Sequence, residues 1–141
     1  MNANKNSLNF FLSLAKFQTE LTRRLDAGLN GISFNELIIL YHLSQSENEK
    51  MRRIDLADKI GLTASGVTRL LLPMEKIGLI AKEANEHDAR VSYVVLASGG
   101  RTKLSEGLER LEIFSEDLIP ADKENKIEEM TKLISEIGKN I

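Results

Sequence analysis

The sequence predicts a mainly α-helical fold that carries one small β-hairpin. Apolar residues recur at steps of three and four over most of the 141 positions, which is the spacing of one helix face. Residues 79–96 depart from that spacing, because two short apolar runs flank a charged segment there. With 42% hydrophobic residues, a chain of this length can bury one core without disulfides or metals. We therefore expect a single domain over residues 1–141.

The first predicted helix spans residues 5–29. Its apolar residues lie on more than one side, so we expect it to be covered from more than one direction. Gly28 and Asn30-Gly31 end the helix, because these residues accept the left-handed backbone of a helix end. The main apolar stripe consists of Leu8, Phe11, Leu14, Phe17, Leu21 and Leu25.

A second helix is predicted from a capping box. The Ser33 hydroxyl and the Glu36 carboxylate stand three positions apart, where each can satisfy a free amide of the other residue. This helix runs to about Leu43, and residues 44–50 form a polar connector.

The third and fourth helices form a pair around Gly61. The third spans Ile54 to Ile60, and the fourth follows Thr63, an expected N-cap, and ends near Ile77. The small side chain of Ala57 lets the two helices cross closely, and Gly61 permits the tight turn between them.

A hairpin follows the helix pair. Its strands are residues 79–82 and 91–96, and its charged loop is residues 83–90. Asp88 lies two positions before Arg90, where its carboxylate can brace the guanidinium. A helix pair followed by a hairpin is a winged helix-turn-helix, which we assign to residues 33–97.

Two helices are predicted after the hairpin. The first begins near Ser98, its expected cap, and the second begins after Pro120, which fits a first helical turn. The second has an apolar stripe that indicates packing against a partner helix. That stripe consists of Ile127, Met130, Ile134, Ile137 and Ile141.

The charge is distributed unevenly along the chain. The net charge is -2, but residues 50–103 carry 10 Lys/Arg and 6 Asp/Glu, which is +4. Residues 1–49 carry -1 and residues 104–141 carry -5. This pattern favours a protein that contacts phosphates with its middle segment.

Composition excludes several classes of protein. The chain has no cysteine and only two isolated histidines, so disulfide, thiol and zinc chemistry are not expected. No apolar run is long enough to cross a membrane, and the first residues lack the apolar stretch of a signal peptide. No catalytic motif or phosphate-binding loop is present. We expect a cytoplasmic protein that is not an enzyme and needs no cofactor or metal.

The fourth helix and the hairpin supply the candidate binding residues. With the apolar face buried, short hydroxyls and an arginine point outward from the start of the helix, where they suit a major groove. An arginine on a hairpin suits a narrow minor groove. The candidate DNA-binding residues are Thr63, Ser65, Thr68, Arg69, Asp88 and Arg90.

Two alternatives remain open. Asp88 and Arg90 can form an ordinary surface salt bridge, and a winged helix can bind a protein partner instead of DNA. Modules of the second kind lack outward cations on the helix and the wing, whereas Arg69 and Arg90 are both present here. We therefore favour binding to double-stranded DNA.

The chain resembles the MarR family of transcriptional regulators over nearly all of its length. The matching pieces are residues 56–70, 74–80, 88–90 and 96–100. The resemblance implies a homodimer joined by helices within residues 5–29 and 98–141. It also implies Ser65, Thr68 and Arg69 as recognition-helix contacts, Arg90 as the wing contact, and control by a small molecule or chemical signal.

The resemblance also gives expectations about regulation. Without cysteine, thiol oxidation is excluded as the signal. Phe17, Tyr41 and His42 are candidates for a ligand pocket between the dimer helices and the DNA-binding part, with plain packing as the alternative. We expect repression at a palindromic operator and release by the ligand, and activation stays open.

Overall fold

The computed structural model describes residues 2–141, with side chains from Lys5 onward. Within these residues the chain forms six α-helices and one three-stranded sheet, which confirms the predicted mainly α-helical class. Met1, on which part of the signal-peptide prediction rests, lies outside the described residues. The elements are α1 (Asn2–Gly28), α2 (Phe34–Ser44), β1 (Lys50–Arg52), α3 (Arg53–Ile60), α4 (Ala64–Lys76), β2 (Ile80–Ala84), β3 (Ser92–Leu96), α5 (Ser98–Leu118) and α6 (Glu124–Gly138).

Two side-chain caps predicted from the sequence are present. Ser33 Oγ accepts from Glu36 N at 3.1 Å, and Glu36 Oε1 accepts from Ser33 N at 2.8 Å, which completes the capping box at α2. Thr63 Oγ1 accepts from Gly66 N at 3.0 Å at the start of α4. Gly61, with φ of 74°, ends α3 in the left-handed region.

The predicted cap of α5 is wrong by one residue. Ser98 is the first helical residue, and Ala97 occupies the cap position without a side-chain hydrogen bond. Ala97 N donates to Leu79 O at 3.1 Å, which holds Ala97 in an extended conformation at the end of β3. The helix begins directly after that tertiary bond, so packing decides this boundary rather than the serine.

The sheet contains a strand that the sequence did not predict. Its order is β1-β3-β2 with antiparallel pairing, and Met51 on β1 lies opposite Val94 on β3. β1 has only three residues, begins at the last residue of the polar connector and has no apolar alternation of its own. It forms because β3 offers a free edge, so pairing creates this strand.

The core lies between α2, the α3–α4 pair and the inner face of the sheet, and α5 packs across it. Two glycines allow the close approach of α5: an added Cβ at Gly100 would collide with the Leu79 carbonyl oxygen, and one at Gly107 would lie 2.7 Å from Leu37 Cδ1. Fully buried side chains include Leu40, Leu43, Leu56, Val67, Met74 and Leu96.

The first and last helices leave large apolar surfaces uncovered within this chain. On α1, Phe11 is 58% exposed and Phe17 is 51% exposed. α6 has no buried residue, and the predicted stripe from Ile127 to Ile141 is exposed throughout. None of the helices formed by the described residues is long and apolar enough to span a membrane.

Candidate nucleic-acid interface

The exposed side of α4 carries two of the predicted DNA-binding residues. Val67, Leu71 and Met74 are buried on one side of α4, whereas Ser65 and Arg69, four residues apart, are exposed on the other side. Leu62 N donates to Ala57 O at 3.1 Å, which fixes the turn between the helices. The burial pattern of α4 therefore directs Ser65 and Arg69 to solvent.

The four predicted residues of α4 and its cap differ in how their polar groups are used. Thr63 Oγ1 caps the helix and also lies 3.3 Å from Ser65 Oγ. Thr68 Oγ1 donates to Ala64 O at 2.9 Å and accepts from Arg53 Nη1 at 3.1 Å. Among the described residues, Arg69 has no hydrogen-bond or ion-pair partner, so its five donors are available to a ligand.

The loop between β2 and β3, residues 85–91, is held by its own side chains. Asn85 Oδ1 accepts from His87 N at 2.8 Å and from Asp88 N at 3.2 Å. The same loop is closed by backbone bonds between Asn85 N and Val91 O and between Val91 N and Asp88 O, both 3.0 Å. Sequence reasoning missed Asn85, although an asparagine at the start of a polar hairpin loop is a typical signal of such a turn.

The predicted brace of Arg90 by Asp88 is present. Asp88 Oδ1 accepts from Arg90 N at 3.0 Å and from Arg90 Nε at 3.2 Å. The guanidinium hydrogen bond, and then the backbone hydrogen bond, hold the pKa of Asp88 below its ordinary range, so this carboxyl stays ionised. The side chain of Arg90 is still 91% exposed, so the brace orients it without covering it.

A cleft of about 420 Å³ separates α4 from the β2–β3 hairpin and brings two of the predicted residues together. Thr68 lies on its helix side and Arg90 on its hairpin side. Three further cations, which sequence reasoning missed, also line the cleft: Arg52, Arg53 and Lys82. The available signal was the run Lys50-Met51-Arg52-Arg53, which places three cations at the start of α3 and in the strand before it.

The cations of residues 50–103 fall into two groups. Arg52 pairs with Asp55 at 2.8 Å and Lys82 pairs with Glu75 at 3.8 Å, so neighbouring carboxylates offset their charges. Others have no ion pair with any described residue. These unpaired cations are Arg53, Lys59, Arg69 and Lys76, and all four belong to α3 or α4.

The three residues predicted for a ligand pocket lie in different surroundings. Phe17 lines a cleft of about 550 Å³ between α1 and α5, where the Arg24 guanidinium lies 5.8 Å from the Phe114 ring centroid. Tyr41 and His42 lie on α2, with ring centroids 5.6 Å apart, and do not belong to the described lining of that cleft. Their joint role in a pocket stays a prediction.

The protonation of His42 follows from its surroundings. Burial, and then the charge of Lys59, lower the pKa of His42 below its ordinary value of 6.5. His42 is therefore neutral at physiological pH. Over the part of the chain that the structure describes, no group of three metal-ligating side chains comes together.

Comparison with known proteins shows which family the middle of the chain resembles. Residues 32–92, from two residues before α2 to the first residue of β3, match the model of the MarR family. Residues 32–92 are therefore similar to the MarR family. This span includes the α3–α4 pair, the hairpin loop and the lining of the cleft except Tyr93 and Val94, so all six candidate DNA-binding residues lie within it.

One curated relative and several solved structures are also similar to this chain. The uncharacterized HTH-type transcriptional regulator YdgJ of Bacillus subtilis is 24% identical over 92 residues, which are 65% of this chain and 53% of that protein. The chain thus matches about half the length of this relative. The transcriptional regulator BldR from Sulfolobus solfataricus superposes with a TM-score of 0.87 and 24% identity, over 100% of both chains.

Two further neighbours were solved with DNA. Sco3205, a MarR family transcriptional regulator from Streptomyces coelicolor, has a TM-score of 0.77 and 19% identity, over 94% of this chain and 87% of that one. A mutant of MarR from E. coli, complexed with operator DNA, has a TM-score of 0.77 and 16% identity, over 92% of this chain and 95% of that one. These likenesses confirm the predicted fold, a winged helix-turn-helix with long terminal helices.

Proposed function

We propose that this protein is a transcriptional regulator that binds double-stranded DNA through the face formed by α4 and the β2–β3 hairpin. The proposal depends mainly on the position of two arginines. Arg90, which is exposed and held by Asp88, lines the hairpin side of the cleft, and α4, which forms the other side, presents the unpaired Arg69. Arg69 has no existing ion pair to break when it binds a phosphate, and Arg90 keeps 91% of its side chain exposed despite its pair with Asp88. The net charge of +4 over residues 50–103 supports the same partner.

The site residues have separate roles in this proposal. Ser65 and Arg69 enter the major groove, where Arg69 can bind a guanine edge or a phosphate. Thr63 holds the start of α4 through its cap, and Asp88 orients Arg90 toward a minor groove. In this arrangement α4 and the β2–β3 hairpin contact adjacent grooves of one duplex.

We further propose that the regulator is a homodimer joined through α1, α5 and α6. α6 buries none of its residues against its own chain, and a helix of 15 residues is marginal without a packing partner. Its exposed stripe repeats at heptad-like steps, which suits a second copy of the same stripe. A two-fold dimer binds two half-sites about one helical turn apart, so the operator is palindromic.

Regulation completes the proposal. A dimer bound across a promoter blocks polymerase, so repression is the expected outcome. The cleft between α1 and α5 supports release by a small molecule, because Phe17, Phe114 and Arg24 combine aromatic surface with a cation. A ligand lowers the affinity for DNA if it binds preferentially to a dimer whose two α4 helices are not spaced to match successive major grooves.

The proposal is tested by selecting bound duplexes from a random pool with the full chain and then titrating the selected duplex by fluorescence anisotropy. A palindromic motif is expected. Arg90→Ala should reduce the slope of log affinity against log salt by up to about one unit, the full unit applying if a phosphate replaces Asp88 as the partner of Arg90. Arg69→Gln should weaken binding and relax the selected motif if Arg69 reaches a base.

A matched control removes a cation outside the proposed face. Lys139, exposed after α6, belongs to the acidic segment of residues 104–141, so Lys139→Ala should leave the affinity unchanged. Failure of the folded wild-type protein to bind any duplex at low ionic strength would reject DNA binding and leave the protein-binding alternative.

A further inference from the structure

Arg53 is the first residue of α3 and reaches across to α4. Its Nη1 donates to Thr68 Oγ1 at 3.1 Å, between residues 15 positions apart in the chain. This bond joins the two helices of the pair on their exposed side. Arg53 also lines the cleft between α4 and the hairpin, together with Arg90.

The bond to Arg53 limits what the Thr68 hydroxyl can do. A threonine hydroxyl has one donor and two acceptor positions. Thr68 uses the donor for Ala64 O at 2.9 Å and one acceptor position for Arg53. In this geometry Thr68 has no proton to give to a phosphate oxygen.

Arg53 differs from its neighbour Arg52 in charge compensation. Arg52 forms two hydrogen bonds with Asp55, Nε to Oδ2 at 2.8 Å and Nη2 to Oδ1 at 3.2 Å. Arg53 has no carboxylate partner among the described residues, and its one side-chain bond goes to a neutral hydroxyl. Four of the five donors of its guanidinium therefore remain available.

We propose that Arg53 is a DNA-binding residue that contacts the phosphate backbone beside α4, and that Thr68 is a positioning residue that orients the Arg53 guanidinium. The proposal rests on the DNA-binding function above and changes the role expected for Thr68, which was a direct contact. A fixed arginine loses less side-chain entropy on binding a phosphate than a free one. Thr68 therefore contributes to affinity without contributing to sequence preference.

The first experiment compares Arg53→Met with Arg52→Met in the full chain, by anisotropy on the selected duplex over a range of salt concentrations. Both variants lower the net charge equally. Arg53→Met should reduce the salt slope by about 0.9 and weaken binding roughly tenfold at about 0.1 M salt. Arg52→Met should change the slope less, because Asp55 already offsets that charge. Equal losses in the two variants would overturn the proposal.

The second experiment is a double-mutant cycle between Arg53 and Thr68. Thr68→Val removes the hydroxyl and keeps the shape of the side chain, and it should weaken binding in the wild-type background but not in Arg53→Met. The selected motif should stay the same in Thr68→Val. An equal loss in both backgrounds, or a relaxed motif, would assign a direct contact to Thr68 and overturn the proposal.

Arg53→Lys provides a second readout that does not depend on Arg53→Met folding well. Lysine keeps the charge but lacks the planar fork, so the salt slope should be retained while the effect of Thr68→Val disappears. A lost slope in Arg53→Lys would count against a phosphate contact. If wild-type protein binds and Arg53→Met binds equally well, only this inference fails. If wild type binds no duplex, the proposed function itself fails.

Discussion

The contact of α5 with the hairpin gives a prediction about Gly100. In Gly100→Ala, the added methyl group would collide with the Leu79 carbonyl oxygen and would lie 2.8 Å from Leu96 Cδ1. A side chain can rotate away, but a backbone oxygen cannot, and Leu79 O already accepts from Ala97 N at 3.1 Å. To make room, α5 must move away from β2, which strains or breaks that hydrogen bond.

The size of the loss follows from these contacts. Overpacking costs about 1 to 3 kcal/mol, and a buried backbone group without its partner costs about 1 to 3 kcal/mol more. Replacing glycine in a helix returns at most about 1 kcal/mol. We expect a net loss of about 3 kcal/mol in the free energy of unfolding. The unfolding entropy of 141 residues is about 0.3 kcal/mol/K, so Tm should fall by about 10 °C.

Calorimetry at one fixed protein concentration measures this loss, since the melting of an oligomer depends on concentration. Gly107→Ala should lose less than Gly100→Ala, because its close contact, 2.7 Å to Leu37 Cδ1, is a movable side chain. Gly138→Ala is the control, because nothing lies within 4 Å of its added Cβ. A Gly100→Ala protein that melts with the Gly138→Ala control would refute the reasoning.

Three other perturbations test separate parts of the molecule. Asn85→Ala should weaken DNA binding and speed proteolysis of the hairpin loop, with little change in Tm. Asn85→Asp keeps the side-chain oxygen that accepts from His87 N and Asp88 N, so it should keep the loop ordered. Equal cleavage of the two variants would contradict the role of Asn85 in ordering the loop. Arg101 lowers the pKa of Glu49 from its ordinary value of 4.5, mainly through a side-chain hydrogen bond. The ion pair therefore stabilises the folded protein above pH 4.5, and this stabilisation is lost as the pH falls through the pKa of Glu49 in the folded state. Glu49→Gln should therefore flatten the fall of Tm below about pH 4.5, and an unchanged acid profile would rule the pair out as its cause. Ile134→Glu should shift sedimentation toward the monomer and lower DNA affinity, and an unaltered mass would contradict the proposed dimer contact through α6.

The parts of the fold that depend on residues close together in the sequence could be predicted from it. The capping box at Ser33 and Glu36, the cap at Thr63 and the turn at Gly61 depend on neighbouring residues, and the structure contains all of them. β1 and the start of α5 depend instead on distant partners. Lys50–Arg52 becomes a strand through β3, and Ala97 is fixed by Leu79.

The candidate site divides in the same way. Asp88 and Arg90 are two positions apart, so their contact was visible in the sequence. The bond between Arg53 and Thr68 spans 15 positions and requires the crossing of α3 and α4. Without that crossing, Thr68 looked like an unoccupied hydroxyl on an outward face.

The internal bonds of the hairpin loop have a consequence for the shape of DNA that suits this protein. Asn85 and Asp88 fix the loop before any partner arrives, so the conformational entropy of ordering it, about 1 to 2 kcal/mol per residue, is already lost during folding. A loop held in one conformation cannot adjust its shape to grooves of different width. Under the proposed function, Arg90 on this fixed loop should favour duplexes with a narrow minor groove, such as A-tracts, because the negative potential that attracts an arginine is strongest there.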